Sequence, residues 1–215
     1  MNKVPVLVTG GAGYIGSHAV LALRDAGWPV AVVDDLSNGS RDVVPEDVPF
    51  YEGNIADRAL VDRIFREQQI QAIMHFAGSI VVPESVQQPL KYYANNTLAS
   101  HALISAAVEP GVKHILFSST AATYRAPRRV PIHEEDPKEP INPYGASKLM
   151  TERMLADASA AHSFNYGALR YFNVAGADPK GRTGQLGKGS THLIKVACET
   201  AVGKRQSIAV YGTDY

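Results

Sequence analysis

A tyrosine and a lysine four residues apart, Tyr144 and Lys148, are the first candidates for chemistry in this chain. If the segment is helical, the two side chains lie on one face and the ammonium can lie near the phenol. A phenol has a pKa of about 10, and its use as a base near pH 7 requires a decrease of about 3 units, which a nearby cation favours. The same spacing also occurs on ordinary solvated helix faces. The pair therefore indicates proton transfer only together with other features.

Three hydroxyl residues, Ser118, Ser119 and Thr120, follow a short apolar run that predicts a strand. The carboxyl ends of strands in an open parallel sheet are where ligands bind. A hydroxyl at this edge can hydrogen-bond a substrate alcohol and share its proton with Tyr144. The alternative is a serine-rich strand end whose hydroxyls satisfy the backbone of a turn.

Glycines at positions 10, 13 and 16 lie directly after the first predicted strand and open the first predicted helix. This spacing allows a tight turn, a close approach to a pyrophosphate, and binding of the phosphates at the helix N-terminus. Asp34 ends the second predicted strand, where a carboxylate accepts hydrogen bonds from a ribose. Because Asp34 and Asp35 repel a 2′-phosphate, the pattern favours NAD over NADP, although Arg41 lies nearby.

Short apolar runs alternate with segments of helical spacing, which predicts an α/β fold with a Rossmann-like doubly wound parallel sheet. Predicted strands cover residues 4–9, 30–33, 49–51, 72–76, 114–118, 166–170 and 208–211. Predicted helices cover residues 15–26, 56–68, 89–107, 144–162 and 193–202, and five prolines predict a loop over 125–143. We expect residues 1–172 to form an NAD-binding domain that includes the threonine, tyrosine and lysine. Residues 173–215 are expected to begin a smaller C-terminal substrate lobe that is truncated.

The composition favours a small-molecule partner. Hydrophobic residues make up 45% of the 215 residues and charged residues 20%, which excludes collagenous and disordered classes. Lys plus Arg, 21 residues, balance Asp plus Glu, 21 residues, so no basic field attracts nucleic acid or an anionic membrane. No apolar stretch approaches the roughly 18 residues of a membrane span. The single cysteine, Cys198, excludes an internal disulfide and a cysteine-based zinc site, and it fits a reducing cytoplasm.

Six sequence motifs together resemble the extended short-chain dehydrogenase/reductase family, and within it the sugar-nucleotide epimerases. They are Val-Thr-Gly-Gly-Ala-Gly-Tyr-Ile-Gly-Ser-His at 8–18, His-Phe-Ala-Gly at 75–78, Pro-Glu-Ser-Val at 83–86, Tyr-Tyr-Ala-Asn-Asn at 92–96, Pro-Tyr-Gly-Ala-Ser-Lys at 143–148 and Arg-Tyr-Phe-Asn-Val-Ala-Gly-Ala at 170–177. The last of these is specific to the epimerases within the family.

The resemblance implies NAD-dependent interconversion of UDP-galactose and UDP-glucose. NAD removes the hydride from the sugar C4 while Tyr144 takes the 4-hydroxyl proton, and the 4-keto intermediate receives the hydride back on its other face. Thr120 orients that hydroxyl, and Lys148 lowers the pKa of Tyr144 and holds the nicotinamide ribose. Such an enzyme is expected to retain its cofactor.

By the same resemblance, two sets of residues contact the ligands. NAD is expected to contact Gly10, Gly13, Tyr14, Ile15, Gly16, Asp34, Asn38, Asn54, Ile55, Phe76, Ala77, Asn95, Tyr144 and Lys148. The UDP-sugar is expected to contact Thr120, Tyr144, Asn173, His192, Leu193, Ala209, Val210 and Tyr211. No metal ligand is expected. The resemblance further implies a homodimer formed by the predicted helices 89–107 and 144–162.

Several features depart from the family pattern or leave alternatives open. Asn54 stands where many members have Asp, Ile80 where some have Lys, and Arg125 where most have Gly. Ala121 and Ala122 follow Thr120, so the acid pair of a 4,6-dehydratase is missing. An epimerase for a UDP-N-acetylhexosamine or UDP-pentose and a catalytically silent NAD-binding fragment remain as alternatives.

Overall fold

One parallel sheet organises the molecule. The computed structural model describes residues 3–127, 129–187, 192–210 and 212–213. Within them six strands pair in the order β3-β2-β1-β4-β5-β6, with every neighbouring pair parallel. The strands are β1 (Val6–Thr9), β2 (Val30–Asp34), β3 (Phe50–Glu52), β4 (Ala72–His75), β5 (His114–Ser118) and β6 (Asn165–Leu169). The predicted α/β class and doubly wound sheet are confirmed, and the strand order reverses between β1 and β4, where such folds bind ligands.

The apolar strands are continuous because both faces of the sheet are covered. All four residues of β1 are buried, and its side chains divide between two clusters. Leu7 packs with the helices Arg58–Gln68, Ala99–Val108 and Pro143–His162 on one face, whereas Val6 and Val8 pack with Val20 on the other. A strand buried on both faces has no position that faces solvent, so apolar and polar residues do not alternate along it. Its sequence is therefore a continuous apolar run. The helices in this packing are α1 (Tyr14–Asp25), α2 (Arg58–Gln68), α5 (Ala99–Val108) and α6 (Pro143–His162).

The predicted helix over residues 89–107 is not one regular α-helix. It consists of α4 (Pro89–Tyr92), a π-helical segment (Tyr93–Leu98) and α5. A further short helix, α3 (Val82–Gln87), precedes it, and Pro83 lies in its first turn, where proline is tolerated. An apolar pattern of period 3.6 does not reveal a π-helical segment, because the interruption depends on side-chain contacts described below.

The last part of the described chain is largely exposed. Helix α7 (Leu193–Ala201) lies where a helix is predicted. The predicted strand over 208–211 is wrong in its described part, because residues 208–210 pair with no strand of the sheet and Val210 is 76% exposed. Tyr211 lies outside the described residues. No helix within the described ranges is long and apolar enough to span a bilayer.

Candidate active site

The phenol of Tyr144 and the hydroxyl of Thr120 meet where the end of β5 faces the start of α6. Thr120 is 9% exposed, and its oxygen accepts a hydrogen bond from the Ala122 N–H at 3.1 Å. Its own proton is therefore available for a hydrogen bond to the phenol of Tyr144. Burial raises the pKa of Tyr144 above its ordinary value, the Thr120 hydrogen bond lowers it, and the neighbouring Tyr171 raises it. Tyr144 alone is thus a poor base, and it needs added positive charge to ionise near pH 7.

A glycine permits this close approach of α6 to the end of β5. Asn142 caps α6 by accepting a hydrogen bond from the Gly145 N–H at 2.8 Å, and Pro143 occupies the first turn. A Cβ built on Gly145 would lie 2.2 Å from the Ala122 carbonyl oxygen. Any side chain at position 145 would therefore push Tyr144 away from Thr120.

Lys148 provides the buried cation one helical turn beyond Tyr144. The side chain is 2% exposed, its Nζ donates to the Ser118 carbonyl oxygen at 3.0 Å, and it lies 4.9 Å from the centroid of the Phe117 ring. Burial lowers the pKa of Lys148 to about 8, so the amine is mostly protonated at pH 7. The predicted placement of Tyr144 and Lys148 on one helical face is consistent with this geometry. The ammonium of Lys148 loses its proton just above neutral pH.

The depressed pKa of Lys148 predicts a rise of stability with pH. The pKa is about 8 in the folded chain and about 10.4 in the unfolded chain. Between these values the unfolded state binds more protons, so the free energy of unfolding increases with pH. We expect this group to contribute about 2 kcal/mol between pH 8 and 9.5. Urea unfolding at both pH values measures the increase in the free energy of unfolding. The same measurement on the Lys148→Met variant gives the increase that does not come from Lys148, and the difference isolates its contribution. An equal pH dependence of the two proteins would contradict the lowered pKa of Lys148.

The glycine turn between β1 and α1 is shaped by contacts that exclude side chains. Gly10 has φ +69°, and a Cβ there would lie 2.6 Å from the Ala77 nitrogen. A Cβ on Gly16 would lie 2.1 Å from the Gly10 carbonyl oxygen. Gly13 is the N-cap residue of α1, and among the described residues no side chain caps the helix. The predicted cofactor residues Gly10, Gly13, Gly16, Phe76 and Ala77 thus converge where β1 and β4 end, beside an N-terminus whose N–H groups suit phosphate.

Asp34 connects the end of β2 to this turn. Its carboxylate is 8% exposed and accepts hydrogen bonds from the Ala12 and Leu36 N–H groups, both at 2.9 Å. Burial raises the pKa of Asp34, and the two backbone hydrogen bonds lower it. Arg41 is held elsewhere, because its guanidinium stacks on Phe50 at 4.7 Å and donates to the Val44 carbonyl oxygen at 2.6 Å.

The other predicted cofactor residues lie around the same edge with different exposure. Asn54 is exposed, accepts from the Ala56 N–H at 2.9 Å and donates to Asp35 at 3.3 Å. Ile55 is buried, Asn38 is exposed, and the Asn95 amide donates to the Ser79 hydroxyl at 2.8 Å. Tyr14 and Ile15 form the first turn of α1.

A buried hydrogen-bond chain that the sequence analysis missed joins β1, β4 and the π-helical segment. His75 is 1% exposed; its Nδ1 lies 2.7 Å from the Thr9 hydroxyl and its Nε2 2.8 Å from the Ser100 hydroxyl. Because Ser100 donates to the Asn96 carbonyl oxygen, it must accept from Nε2–H, which fixes the tautomer. Burial, and to a smaller extent the charge of Lys148, lower the pKa of His75 to about 3. His75 is thus a neutral, fixed support beneath the site.

The side chain of Asn96 supports the same region. It accepts from the Ser79 N–H at 2.7 Å and donates to the Ser79 carbonyl oxygen and to the Ser147 hydroxyl, both at 3.0 Å. These contacts tie the π-helical segment to the loop after β4 and to α6. The pair Asn95-Asn96 is in a quoted motif, but nothing in the sequence indicates that the second asparagine is the buried one.

The predicted UDP-sugar residues beyond β6 lie in an exposed part of the chain. Asn173, Leu193, Ala209 and Val210 are exposed, and His192 bonds Gln185 at 2.8 Å. Residues 176–183 lie along α1, where the Tyr14 hydroxyl donates to the Gly176 carbonyl oxygen at 2.7 Å and Arg182 pairs with Asp25 at 2.9 Å. The structure therefore brings Thr120, Tyr144 and Lys148 together, whereas it leaves the C-terminal set outside the packed core. Within the described ranges, no group of three or more His, Cys, Asp or Glu residues is arranged to hold a metal ion.

Comparison with known proteins gives consistent matches. The profile of the NAD dependent epimerase/dehydratase family matches residues 6–214. The UDP-glucose 4-epimerase of Azospirillum brasilense is 60% identical over 210 residues, covering 98% of this chain and 60% of that protein. The crystal structure of UDP-glucose 4-epimerase from Brucella ovis in complex with NAD superposes with a TM-score of 0.95 at 43% identity, covering 99% of this chain and 65% of that one. That of Bifidobacterium longum in complex with NAD+ and UDP gives 0.91 at 40% identity, covering 98% and 66%.

The chain spans about two thirds or less of the length of these relatives. Since the profile extends over residues 6–214 and the relatives share both sequence and fold, this chain belongs to the NAD dependent epimerase/dehydratase family.

Proposed function

We propose that this chain carries the cofactor site and catalytic groups of an NAD-dependent UDP-hexose 4-epimerase, which interconverts UDP-galactose and UDP-glucose. The observation that carries the proposal is the close packing of the start of α6 against the end of β5, which brings Tyr144 and the buried Lys148 to Thr120. Lys148 Nζ donates to the Ser118 carbonyl oxygen at 3.0 Å, and a Cβ on Gly145 would lie 2.2 Å from the Ala122 carbonyl oxygen. The relatives named above are UDP-glucose 4-epimerases, and two of them were crystallised with NAD. The activity, substrate and cofactor of those proteins are extended to this chain as part of the proposal.

The residues at the carboxyl edge of the sheet fit NAD. A Cβ on Gly10 or Gly16 would clash with backbone atoms of the turn, so glycine at both positions lets the turn pack tightly beside the α1 N-terminus, an arrangement suited to a pyrophosphate. Asp34 and Asp35 lie side by side at the end of β2, where two carboxylates disfavour the 2′-phosphate of NADP. NAD held by these residues would supply a hydride acceptor and donor for the sugar C4, with no net redox change over the reaction.

Tyr144 moves the proton in this mechanism. Its phenolate accepts the proton of the sugar 4-hydroxyl as the C4 hydrogen leaves, and the phenol returns a proton to O4 when the hydrogen is restored. Thr120 donates a hydrogen bond to the phenol and stabilises the phenolate. Lys148, one helical turn further along α6, is proposed to add positive charge that favours the phenolate.

The remaining ligand contacts and the division of the chain are proposals as well. We assign residues 1–172 to the NAD-binding domain and residues 173–215 to a UDP-sugar-binding lobe. The exposure of the chain beyond β6 supports this division, because a ligand or further protein surface can cover those residues. Within the second part, Asn173, His192, Leu193, Ala209, Val210 and Tyr211 are proposed to contact the UDP-sugar.

Proton NMR of UDP-galactose incubated with the purified chain tests the proposal. We expect the anomeric signal of UDP-glucose to grow to a fixed equilibrium ratio with NAD and to remain absent with NADP. NAD binding is measured separately by calorimetry. Bound NAD without conversion would contradict epimerase activity of this chain, and UDP-N-acetylglucosamine and UDP-arabinose would then be tested as substrates.

Two further proposals concern the oligomeric state and the cellular location of the protein. We propose a homodimer formed through the helical stretch 89–107 and α6, because Leu98 at the end of the π-helical segment and Met150 of α6 are 65% and 46% exposed. A monomer in sedimentation equilibrium at micromolar concentration would contradict the homodimer.

We also propose that the protein acts in the cytoplasm, since its single cysteine needs no oxidising compartment. Recovery of the protein in a secreted fraction would contradict this location.

A further inference from the structure

We propose that the buried carboxylate of Glu152 is a positioning residue that keeps Thr120 within hydrogen-bonding distance of Tyr144. The inference rests on the proposed function, because it assigns Glu152 a role in that reaction. Glu152 itself does not touch the reacting atoms in this account; it acts through Ser119, Arg170 and the backbone that they hold.

Glu152 extends from α6 on the same helical face as the two catalytic side chains. It follows Lys148 by four residues and Tyr144 by eight, which is one and two helical turns. The residue is 6% exposed, and its Oε1 accepts a hydrogen bond from the Ser119 hydroxyl. Ser119 is 1% exposed and directly precedes Thr120. The helix that carries the base is therefore connected to the strand end that carries its hydroxyl partner.

Arg170 completes the arrangement from the end of β6. Its Nε donates to Glu152 Oε1 at 2.9 Å, and its Nη2 donates to Oε2 at 2.5 Å. A third nitrogen, Nη1, donates to the Tyr124 hydroxyl at 2.9 Å. The bidentate geometry fixes the carboxylate in orientation as well as in position. The hydrogen bonds to Glu152 raise the pKa of Arg170, so the guanidinium keeps its charge.

The backbone around Thr120 is held on its other side by the residue after Arg170. The Tyr171 hydroxyl is hydrogen-bonded to the Ser118 hydroxyl, and the Ala121 N–H donates to the Tyr171 carbonyl oxygen at 3.1 Å. Glu152 therefore holds Ser119 directly, and it holds Ser118 and Ala121 through the Arg170-Tyr171 segment. Removal of the carboxylate would leave the Ser119 hydroxyl and a half-buried guanidinium without their partner, on both sides of Thr120.

A purely stabilising ion pair would not require this arrangement. Buried ion pairs are often replaceable by apolar residues without loss of stability, because desolvation offsets their attraction. Here the carboxylate is shared between a charge partner and the one hydroxyl next to Thr120. Since the Thr120 hydrogen bond lowers the pKa of Tyr144, displacement of Thr120 has a measurable consequence at the phenol.

The test compares Ser119→Ala and Glu152→Gln with the parent chain. The pKa of Tyr144 is followed by NMR of ring-labelled tyrosine, with the Tyr144→Phe variant assigning the signal. We expect both variants to raise this pKa by about one unit, a tenfold smaller phenolate fraction. If the chain epimerises UDP-galactose, kcat should fall about tenfold with KM nearly unchanged, which is the loss of a transition-state interaction.

Arg153→Ala is the matched control, because the Arg153 side chain is 80% exposed on the same helix. Within the described residues it forms an ion pair only with the exposed Asp157. This variant should change neither the pKa of Tyr144 nor kcat. Ser119→Ala retains the Glu152–Arg170 pair, so it remains informative if Glu152→Gln fails to fold. An unchanged Tyr144 pKa in a folded Ser119→Ala variant would overturn the proposal. This readout needs no substrate, so it is independent of whether the chain is an active epimerase.

Discussion

Replacement of Tyr144 by phenylalanine is expected to lower kcat for UDP-galactose epimerisation by about a thousandfold, within the range that general acid–base catalysis contributes. In the proposed mechanism the phenol accepts the sugar proton and receives a hydrogen bond from Thr120. Phenylalanine retains the ring, including its edge-to-face contact with Tyr92 at 6.4 Å between centroids, so folding should be preserved. The rate is measured from the anomeric proton signals in the assay described above.

The affinity for NAD distinguishes loss of chemistry from loss of the site. We expect Tyr144→Phe to change the NAD dissociation constant by less than about threefold, since one neutral hydrogen bond contributes about 1 kcal/mol or less. Tyr166→Phe is the matched control, because Tyr166 is 40% exposed on β6. A Tyr144→Phe variant that keeps more than a tenth of the parent kcat would contradict the assignment of Tyr144 as the base.

Elements whose sequence pattern depends only on nearby residues could be predicted from the sequence. Strand β1 is buried on both faces, so its four residues are uniformly apolar or hydroxylic and the strand is readable. The Tyr144–Lys148 pair needs only helical spacing to share a face, and the glycine turn needs only the order of strand, glycines and helix. These features supplied the fold class and the arrangement of the three catalytic candidates.

Features that depend on distant partners could not be predicted. The Glu152 carboxylate meets Ser119 across 33 positions of the chain, and Asn96 meets Ser147 across 51. In sequence, Glu152 is an ordinary charged residue of a predicted helix, and Asn96 is an amide in a polar run. Residues 208–210 illustrate the opposite error, because a short apolar run forms a strand only if a neighbouring strand pairs with it.

Substitution of Gly16 by alanine distinguishes the effect of local helix propensity from that of tertiary packing. The two predict changes of opposite sign in the free energy of unfolding. Gly16 lies in the first turn of α1, and by propensity alone its replacement by alanine should stabilise the helix by up to about 1 kcal/mol. The added Cβ, however, would lie 2.1 Å from the Gly10 carbonyl oxygen and 2.9 Å from the Gly11 Cα. Both are backbone atoms that cannot rotate away as a flexible side chain would.

We therefore expect Gly16→Ala to lower the free energy of unfolding by about 3 kcal/mol, the upper part of the usual range for overpacking. Because relief of the clash moves α1 away from the glycine turn, NAD affinity should fall at least tenfold in the folded fraction. Urea unfolding and calorimetry measure the two effects. Gly187→Ala is the control, since no atom of the described chain lies within 4 Å of a Cβ built there. A stabilised Gly16→Ala variant with normal NAD affinity would mean that helix propensity, and not the approach of α1 to the turn, determines why glycine occupies position 16.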